Sequence, residues 1–538
     1  MGVAARSRPG PVILLAAALT AALSGIYLLW EPQTLDLSAQ VFRADLWDEH
    51  GWVIYNDSWY SGHTVPGYSL LYPPLGAWLG PALLGVVCAV AAAIAFAALA
   101  YRTYGERAWV GALWFGLAAT VSLYGGRITF ALGLALGLLA VLALQRRRPF
   151  WAAVAAVAAA LASPVAGLFT ALAAAAVLIA SRLQPVATRS RLRLNRTAAA
   201  VLVAAVLATL ALAVAFPISG FQPFTLDSFV WIPIACVVCF AVLPVGETTL
   251  RAGIVLYLLV SIAAFAFETP FGSNAVRFGA IFAGPVMALA LYRRRPVVLL
   301  LLAAPLLWWQ WAATFYDVRA ASGDPATDAA YYAPLVAELE DLGDGRPIRV
   351  EIPPTRSRWE SVYVAEHVPL ARGWLRQMES ADFDEFTDDR LTAVAYAKWL
   401  RGHGVDYVAV PDARLDYLAG DEARLVAGSG LRYLDEVWSN EHWVLWRVDP
   451  GDEQGVRLDS VEPDGYALTV PGAGRYLIRM RYSPYLQIVS GEGCLEPQGE
   501  ESTLLTVPTG AGLERVEVRA SLTLGGLLGR EPTCGDPD

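Results

Sequence analysis

The chain of 538 residues contains a single lysine, Lys398. Its other basic residues are all arginine, and Ala, Val and Gly are abundant. That bias points to a GC-rich genome, with an actinobacterial one as the expectation. Charge is scarce altogether. Asp, Glu, Lys and Arg make up 17% of residues against 56% hydrophobic ones, and mean hydropathy is +0.45. The composition is too apolar for a soluble protein of this size and points to a polytopic membrane protein. The net charge of −9 argues against a nucleic-acid partner, which needs a basic surface to displace counterions.

Metal-binding and redox patterns are equally thin. His50, His63, His367, His403 and His442 show neither HxxxH nor HExxH spacing. Cys88, Cys236 and Cys239 fall in apolar runs, where cysteine behaves as a small hydrophobe. The Cys236/Cys239 pair has no second pair or nearby histidine to complete a metal site. Cys494 and Cys534 lie in a polar region, and a disulfide between them is expected if that region is extracytoplasmic. No P-loop, GxGxxG or GxSxG occurs, and Gly428-Ser429-Gly430 reads as a turn. No internal repeat or low-complexity linker is present.

What the chain has is long apolar runs. A membrane-spanning helix needs about 20 apolar residues. Eleven runs qualify as spans: 11–30, 76–100, 108–124, 127–145, 149–163, 164–181, 197–216, 229–245, 250–267, 276–292 and 296–315. The fifth and sixth are one apolar stretch interrupted at Ser163-Pro164, where proline breaks the helical ladder. Arginine placement sets the orientation. With the N-terminus inside, Arg102, Arg107, Arg146, Arg147, Arg148, the cluster 182–196, Arg251 and Arg293, Arg294 and Arg295 all fall on the cytoplasmic side. The opposite loops hold little beyond Arg43, Arg127 and Arg277. This pattern requires two spans between 149 and 181, and it leaves the C-terminal region outside. The first run has a signal-peptide alternative, with cleavage near Ala22-Leu23-Ser24, but it continues to Trp30 and reads better as an uncleaved anchor.

The expected domains are a membrane domain over 1–317 with a long outer loop at 31–75, an α/β domain over 318–450 and a β-sandwich over 451–538. In the second, "DAAYYAPLVAELEDLG" (328–343) has helical periodicity and "IRVEIP" (348–353) reads as a strand. "DRLTAVAYAKWLRGHGVDYVAVP" (389–411) reads as helix, glycine stop at Gly404, then strand. Residues 451–538 alternate apolar and polar positions between Gly and Pro turns.

The outer loop is unusual. "NDSWYSGHTVPGYSLLYPPLGAW" (56–78) is rich in aromatics, and the loop before it holds Asp36, Asp45, Asp48 and Glu49. One reading is an aromatic belt at headgroup depth with solvated acids. The other is a binding site. One span, a long outer loop with an early Asp, a Trp/Gly-rich segment and then "YPPL" opening the second span resembles the GT-C superfamily of membrane glycosyltransferases. The chain also resembles uncharacterised actinobacterial membrane proteins through Ala371-Arg372-Gly373-Trp374 and "WLRGHGVDYVAV", a likeness that supplies no function.

The GT-C resemblance implies a sugar donor linked to polyprenyl phosphate, used at the outer face of the membrane. It makes Asp36, with Asp45 second, the catalytic base. The adjacent acidic pair of metal-dependent branches is missing; Asp48-Glu49 is the nearest and comes late. No cofactor is therefore expected, and a divalent metal is disfavoured.

Transfer also needs a cation for the departing phosphate. Arg277, with Asn274 beside it, is the first candidate, because a charge at the end of a span needs a reason; Arg127 is the second. A salt bridge to Glu268 is the ordinary alternative for Arg277. Trp52, Trp59, Tyr60, His63 and Tyr68 are candidates for covering a sugar. Trp359, Arg372 and Trp374, in "RWESVYVAEHVPLARGWLRQ" (358–377), are candidates for reading an acceptor, unless they are their domain's own packing and ion pairs. The expected acceptor is an envelope glycan or lipid. The competing functions are a non-catalytic envelope scaffold or glycan binder, and a transporter, which the near absence of charge within the spans disfavours.

Overall fold

The computed structural model describes residues 10–183, 189–218, 220–382, 386, 391–428, 430–451, 456–499, 502–508, 513–527 and 534. The chain forms two compact units. The first comprises Met1–Gln40, Tyr68–Leu212 and Gly220–Arg319; the second comprises Val41–Gly67, Ala213–Ser219 and Ala320–Asp538.

The first unit is helical. Its helices, three of which extend into residues of the second unit, are α1 (Gly10–Trp30), α2 (Leu35–His50), α3 (Tyr72–Leu79), α4 (Pro81–Tyr104), α5 (Trp109–Ala119), α6 (Val121–Tyr124), α7 (Ile128–Gln145), α8 (Pro149–Ala162), α9 (Pro164–Arg182), α10 (Arg189–Ala215), α11 (Leu226–Phe229), α12 (Trp231–Val242), α13 (Thr248–Ala266), α14 (Ala275–Leu291) and α15 (Pro296–Ala321). Among the described residues, eight helical stretches are long and apolar enough to cross a membrane, which makes this a multi-pass membrane protein. One of them, Pro81–Tyr124, runs for 44 residues and covers the second expected run from residue 81 onward and all of the third. Pro149–Ala162 and Leu226–Val242 are apolar but shorter. Each of the eleven runs thus falls on a helix, while length and composition qualify eight stretches.

Proline starts several of these helices, at Pro81, Pro149 and Pro164, where its missing N–H costs nothing. The break at 163 is a true helix boundary. Ser163 is extended, with φ −158° and ψ 114°, and its hydroxyl accepts from the Ala166 amide to cap α9. Small residues then let α7, α8 and α9 approach closely. A Cβ on Gly133 would lie 2.6 Å from the Ala166 methyl and 2.9 Å from the Ser163 Cβ, so only glycine fits there. Cys88, Cys236 and Cys239 are buried free thiols, and Cys239 packs in a cluster with Leu243, Met287 and Leu291.

The second unit carries the sheets. The loop expected over 31–75 does not lie as an irregular belt. It contains α2 and a short hairpin of β1 (Tyr55–Asn56) and β2 (His63–Thr64), paired antiparallel. A four-stranded mixed sheet follows, with β3 (Val350–Glu351) parallel to β4 (Tyr407–Pro411), and β5 (Leu434–Ser439) and β6 (Trp443–Val448) antiparallel, in the order β3-β4-β6-β5. The helix Ala329–Gly343 is capped by the Asp328 carboxylate, which accepts from the Ala330 amide. Thr392 caps Ala393–Gly402 in the same way, and Gly404 at φ 63° turns the chain toward β4.

Two antiparallel sheets come last. One has the order β10-β13-β8-β7, the other β11-β12-β9. Their strands are β7 (Leu458–Glu462), β8 (Gly465–Val470), β9 (Gly474–Ile478), β10 (Leu486–Ser490), β11 (Cys494–Gln498), β12 (Ser502–Val507) and β13 (Glu514–Ala520). Both sheets contribute to one apolar cluster, with Leu468, Val516 and Val518 from the first and Ile478, Leu495 and Leu505 from the second. Tyr55 of the hairpin is a member of the same cluster. Cys494, at the start of β11, is disulfide-bonded to Cys534, with Cα atoms 5.5 Å apart.

Candidate active site

Asp36 sits in the first turn of α2, where the helix N-terminus favours a carboxylate. Its Oδ2 accepts from Arg127 Nε at 2.7 Å. The same guanidinium donates through Nη2 to Asp317 Oδ2 at 3.0 Å. Arg127 stands at the N-terminus of α7 and Asp317 near the end of α15. Three chain segments widely separated in sequence therefore meet at one guanidinium.

The local backbone explains the meeting. Gly125 and Gly126 form a turn in which the Arg127 amide bonds back to Ser122 O at 2.8 Å. Gly126 has φ 71°, and a Cβ there would lie 2.5 Å from the Leu37 amide nitrogen and 2.8 Å from its Cα. The bare glycine lets the turn pack directly on the first turn of α2, beside Asp36. On α15, Thr314 donates to Val121 O at 3.3 Å, one turn before Asp317.

Arg277 completes the cluster. It is half-buried in the first turn of α14, with its Cζ 5.5 Å from the Phe130 ring centroid, a cation–π contact. Its electrostatic neighbours are Arg127, Asp36, Tyr68 and Asp317. Among the described residues no carboxylate lies within ion-pair distance of it, and Glu268 is not its partner. Asn274 is buried one turn earlier, immediately before α14. Four of the residues singled out from sequence, Asp36, Arg127, Arg277 and Tyr68, thus come together. Asp317 was missed. Its sequence signal is a carboxylate just past the last apolar run, where the membrane domain is expected to end.

The other expected residues lie in the second unit. Asp45 comes later in α2 and lines a cavity of that unit. Burial, with Glu366, Glu49 and Asp48 nearby, raises its carboxyl to about 6. Trp52 is exposed and packs edge-on against Trp47.

Trp59, Tyr60 and His63, expected to cover a sugar, are instead buried in protein. Trp59 stacks on Phe42 with centroids 4.0 Å apart, and its Nε1 donates to Ser361 O at 3.0 Å. A Cβ on Gly373 would overlap its ring, so backbone covers that face. Tyr60 exchanges hydrogen bonds with the Leu375 backbone. His63 is stacked beside Trp59, and burial pushes its pKa down to about 3. These faces are occupied by protein and offer nothing to a sugar.

Trp359, Arg372 and Trp374 are buried as well. Arg372 bonds to Glu351, at 2.8 Å from Nε, and to Glu422, which also accepts from Tyr396 Oη at 2.8 Å. Trp359 stacks on Tyr363. Trp374 receives the Arg358 guanidinium at 4.5 Å and that of Arg376 at 4.8 Å. These are a domain's own packing and ion pairs. Among the described residues, no three His, Cys, Asp or Glu side chains are grouped to hold a metal ion.

No family model matches the chain, and no curated protein matches it. Among solved structures it is similar to the oligosaccharyltransferase of Archaeoglobus fulgidus, crystallised tethered through a disulfide to an acceptor peptide containing the NVT sequon. That likeness has 13% sequence identity, covers 74% of this chain and 68% of the other, and has a TM-score of 0.41.

Proposed function

We propose that the protein is a GT-C-type membrane glycosyltransferase that takes a sugar from a polyprenyl-phosphate donor. The carrying observation is the Asp36–Arg127–Asp317 cluster with Arg277 beside it. A guanidinium next to a second guanidinium, with no carboxylate of its own in contact among the described residues, is suited to an anionic ligand such as a lipid phosphate. The Asp36 carboxylate next to that position is suited to take a proton.

In this reading an acceptor hydroxyl attacks the anomeric carbon and its proton passes to Asp36. The bond from that carbon to the phosphate oxygen breaks, and its electron pair leaves on the polyprenyl phosphate, held by Arg277. The configuration inverts. Arg127 orients Asp36, and Asn274 and Tyr68 border the donor. The acceptor is an envelope glycan or lipid. No metal takes part.

The rest of the reading is of the same standing. It has eleven crossings, a cytoplasmic N-terminus, and an extracytoplasmic region from 318 onward comprising an α/β domain and a β-sandwich over 451–538. The Cys494–Cys534 disulfide supports that side, because such bonds persist in oxidising compartments.

A second reading, a non-catalytic scaffold or glycan-binding protein, is favoured by one observation. The Asp36 carboxylate is already engaged by Arg127, as in a purely structural ion pair. The deciding experiment is transfer of radiolabelled sugar from a panel of polyprenyl-phosphate donors, in membranes holding equal amounts of wild type, Asp36→Asn or Arg277→Gln. Transfer lost in Asp36→Asn establishes the enzyme and its base. Transfer that survives intact in Asp36→Asn removes Asp36 from the mechanism. Photo-crosslinking of a donor analogue to wild type, without turnover, supports the scaffold.

A further inference from the structure

The second unit holds a cavity of about 500 Å³ that the transferase reading does not use. Seven carboxylates line it, against Arg346 and the histidines His50 and His367. Three of the seven are paired: Glu49 with His50 at 3.4 Å, Glu340 with His367 at 3.0 Å and Glu462 with Arg519 at 2.6 Å. A fourth, Asp459, accepts from the Thr469 hydroxyl at 2.6 Å. Asp45 and Glu366 are electrostatic neighbours with no basic group in ion-pair contact among the described residues. Asp57 is 4% exposed, and its Oδ2 is buried with no hydrogen-bond partner among the described residues. Arg349 acts on Asp57 through space, but its own hydrogen bonds go elsewhere.

Such crowding of like charge around a partly open cleft is unfavourable, and an entering cation relieves it. The kind of cation follows from the lining. No three carboxylates are grouped for a metal ion among the described residues. Phe42, Leu46, Leu339 and Ile348 add an apolar strip to the same walls. The space suits a body of several carbon atoms, and pockets of this size usually take small organic molecules.

We infer that this cavity binds an organic cation, one or more ammonium or guanidinium groups on an aliphatic stem. The charged ends meet Asp45, Glu366 and Asp57, and the stem lies on the apolar strip. A free polyamine and a lysine side chain of a peptide share this chemistry. Binding weakens on acidification, because protonation removes the charge that attracts the ligand. The groups acting on Asp45 are Glu49 and Asp48 from its own helix and Glu366 from the opposite wall, all of them acidic. His50, His367 and Arg346 are the basic groups that line the same cavity.

Calorimetric titration of the purified full-length protein in detergent, with spermidine in one arm and a capped dilysine peptide in the other, tests this. Saturable binding at pH 7.5 in either arm is expected. It weakens about tenfold, ~1.4 kcal/mol, in Asp45→Asn and in Glu366→Gln, both of which melt as wild type does. The arm that binds identifies the source. No binding in either arm overturns the inference. So does binding that neither substitution alters, or a calcium titration that saturates the same residues more tightly. Sugar transfer is not read in this experiment, so its failure leaves the transferase reading standing, and the reverse also holds.

Discussion

Arg127 and Asp36 are joined by a 2.7 Å hydrogen bond across 91 positions of sequence, and the same guanidinium holds Asp317 at 3.0 Å. One cation therefore divides its charge between two carboxylates, and each carboxylate sets how tightly the other is held. In the transferase reading, Asp36→Asn lowers turnover by roughly 10²–10⁴-fold, the usual span for a general base. Asp317→Asn lowers it by only about tenfold, the scale of one lost charge-assisted hydrogen bond. Initial rates at saturating donor, corrected for protein level, separate the two.

Gly126 is where packing and chemistry meet. Its φ of 71° costs a side-chain-bearing residue about 1–2 kcal/mol, and a Cβ there would strike the Leu37 backbone. Gly126→Ala is expected to lower the melting temperature by several degrees and to reduce transfer by displacing Asp36 from Arg127. Gly25→Ala, in α1 with open space around the added methyl, serves as the control and leaves both unchanged. Differential scanning fluorimetry in detergent reads the first effect.

Among the described residues, Arg372 is the sole cation in contact with the buried carboxylates of Glu351 and Glu422. Arg372→Met strands both and costs about 3–5 kcal/mol. Limited proteolysis should then cut within the second unit at temperatures where the wild type resists. Glu351→Gln, which keeps the shape and removes one charge, is expected to be milder.

Asp57 gives a pH signature. Burial raises its carboxyl to about 7, from 3.8. A raised acid contributes most to stability below its unfolded pKa, and that contribution is lost as pH rises through the folded value. Asp57→Asn is therefore more stable than wild type at pH 8, and the advantage disappears as pH falls from 7 toward 4. Melting temperatures of both proteins across that range check the sign.

The sequence carried the helices well, because their signals are local. Apolar length, the prolines at 81, 149 and 164 and the Ser163 cap all act within a turn or two. The candidate site was half legible. Asp36, Arg127 and Arg277 stood out as charges beside apolar runs, where a charge is costly and so informative. Asp317 did not, since a carboxylate at a run's end is also how a run ends. The aromatic loop misled for the opposite reason. Whether Trp59 faces solvent depends on Ser361 and Gly373, some three hundred residues further on, and nothing near Trp59 encodes that cover.

Tyr55 lies in the apolar cluster of the last two sheets and donates to Arg481 O at 2.9 Å, 426 residues ahead. The second unit therefore draws a wall of its interior from residue 55, far from its other strands in sequence. A fragment beginning at 320 would carry every long strand yet leave that wall missing. The tail is thus no portable module. A recombination event that transplanted residues 320–538 alone would deliver an unfinished core.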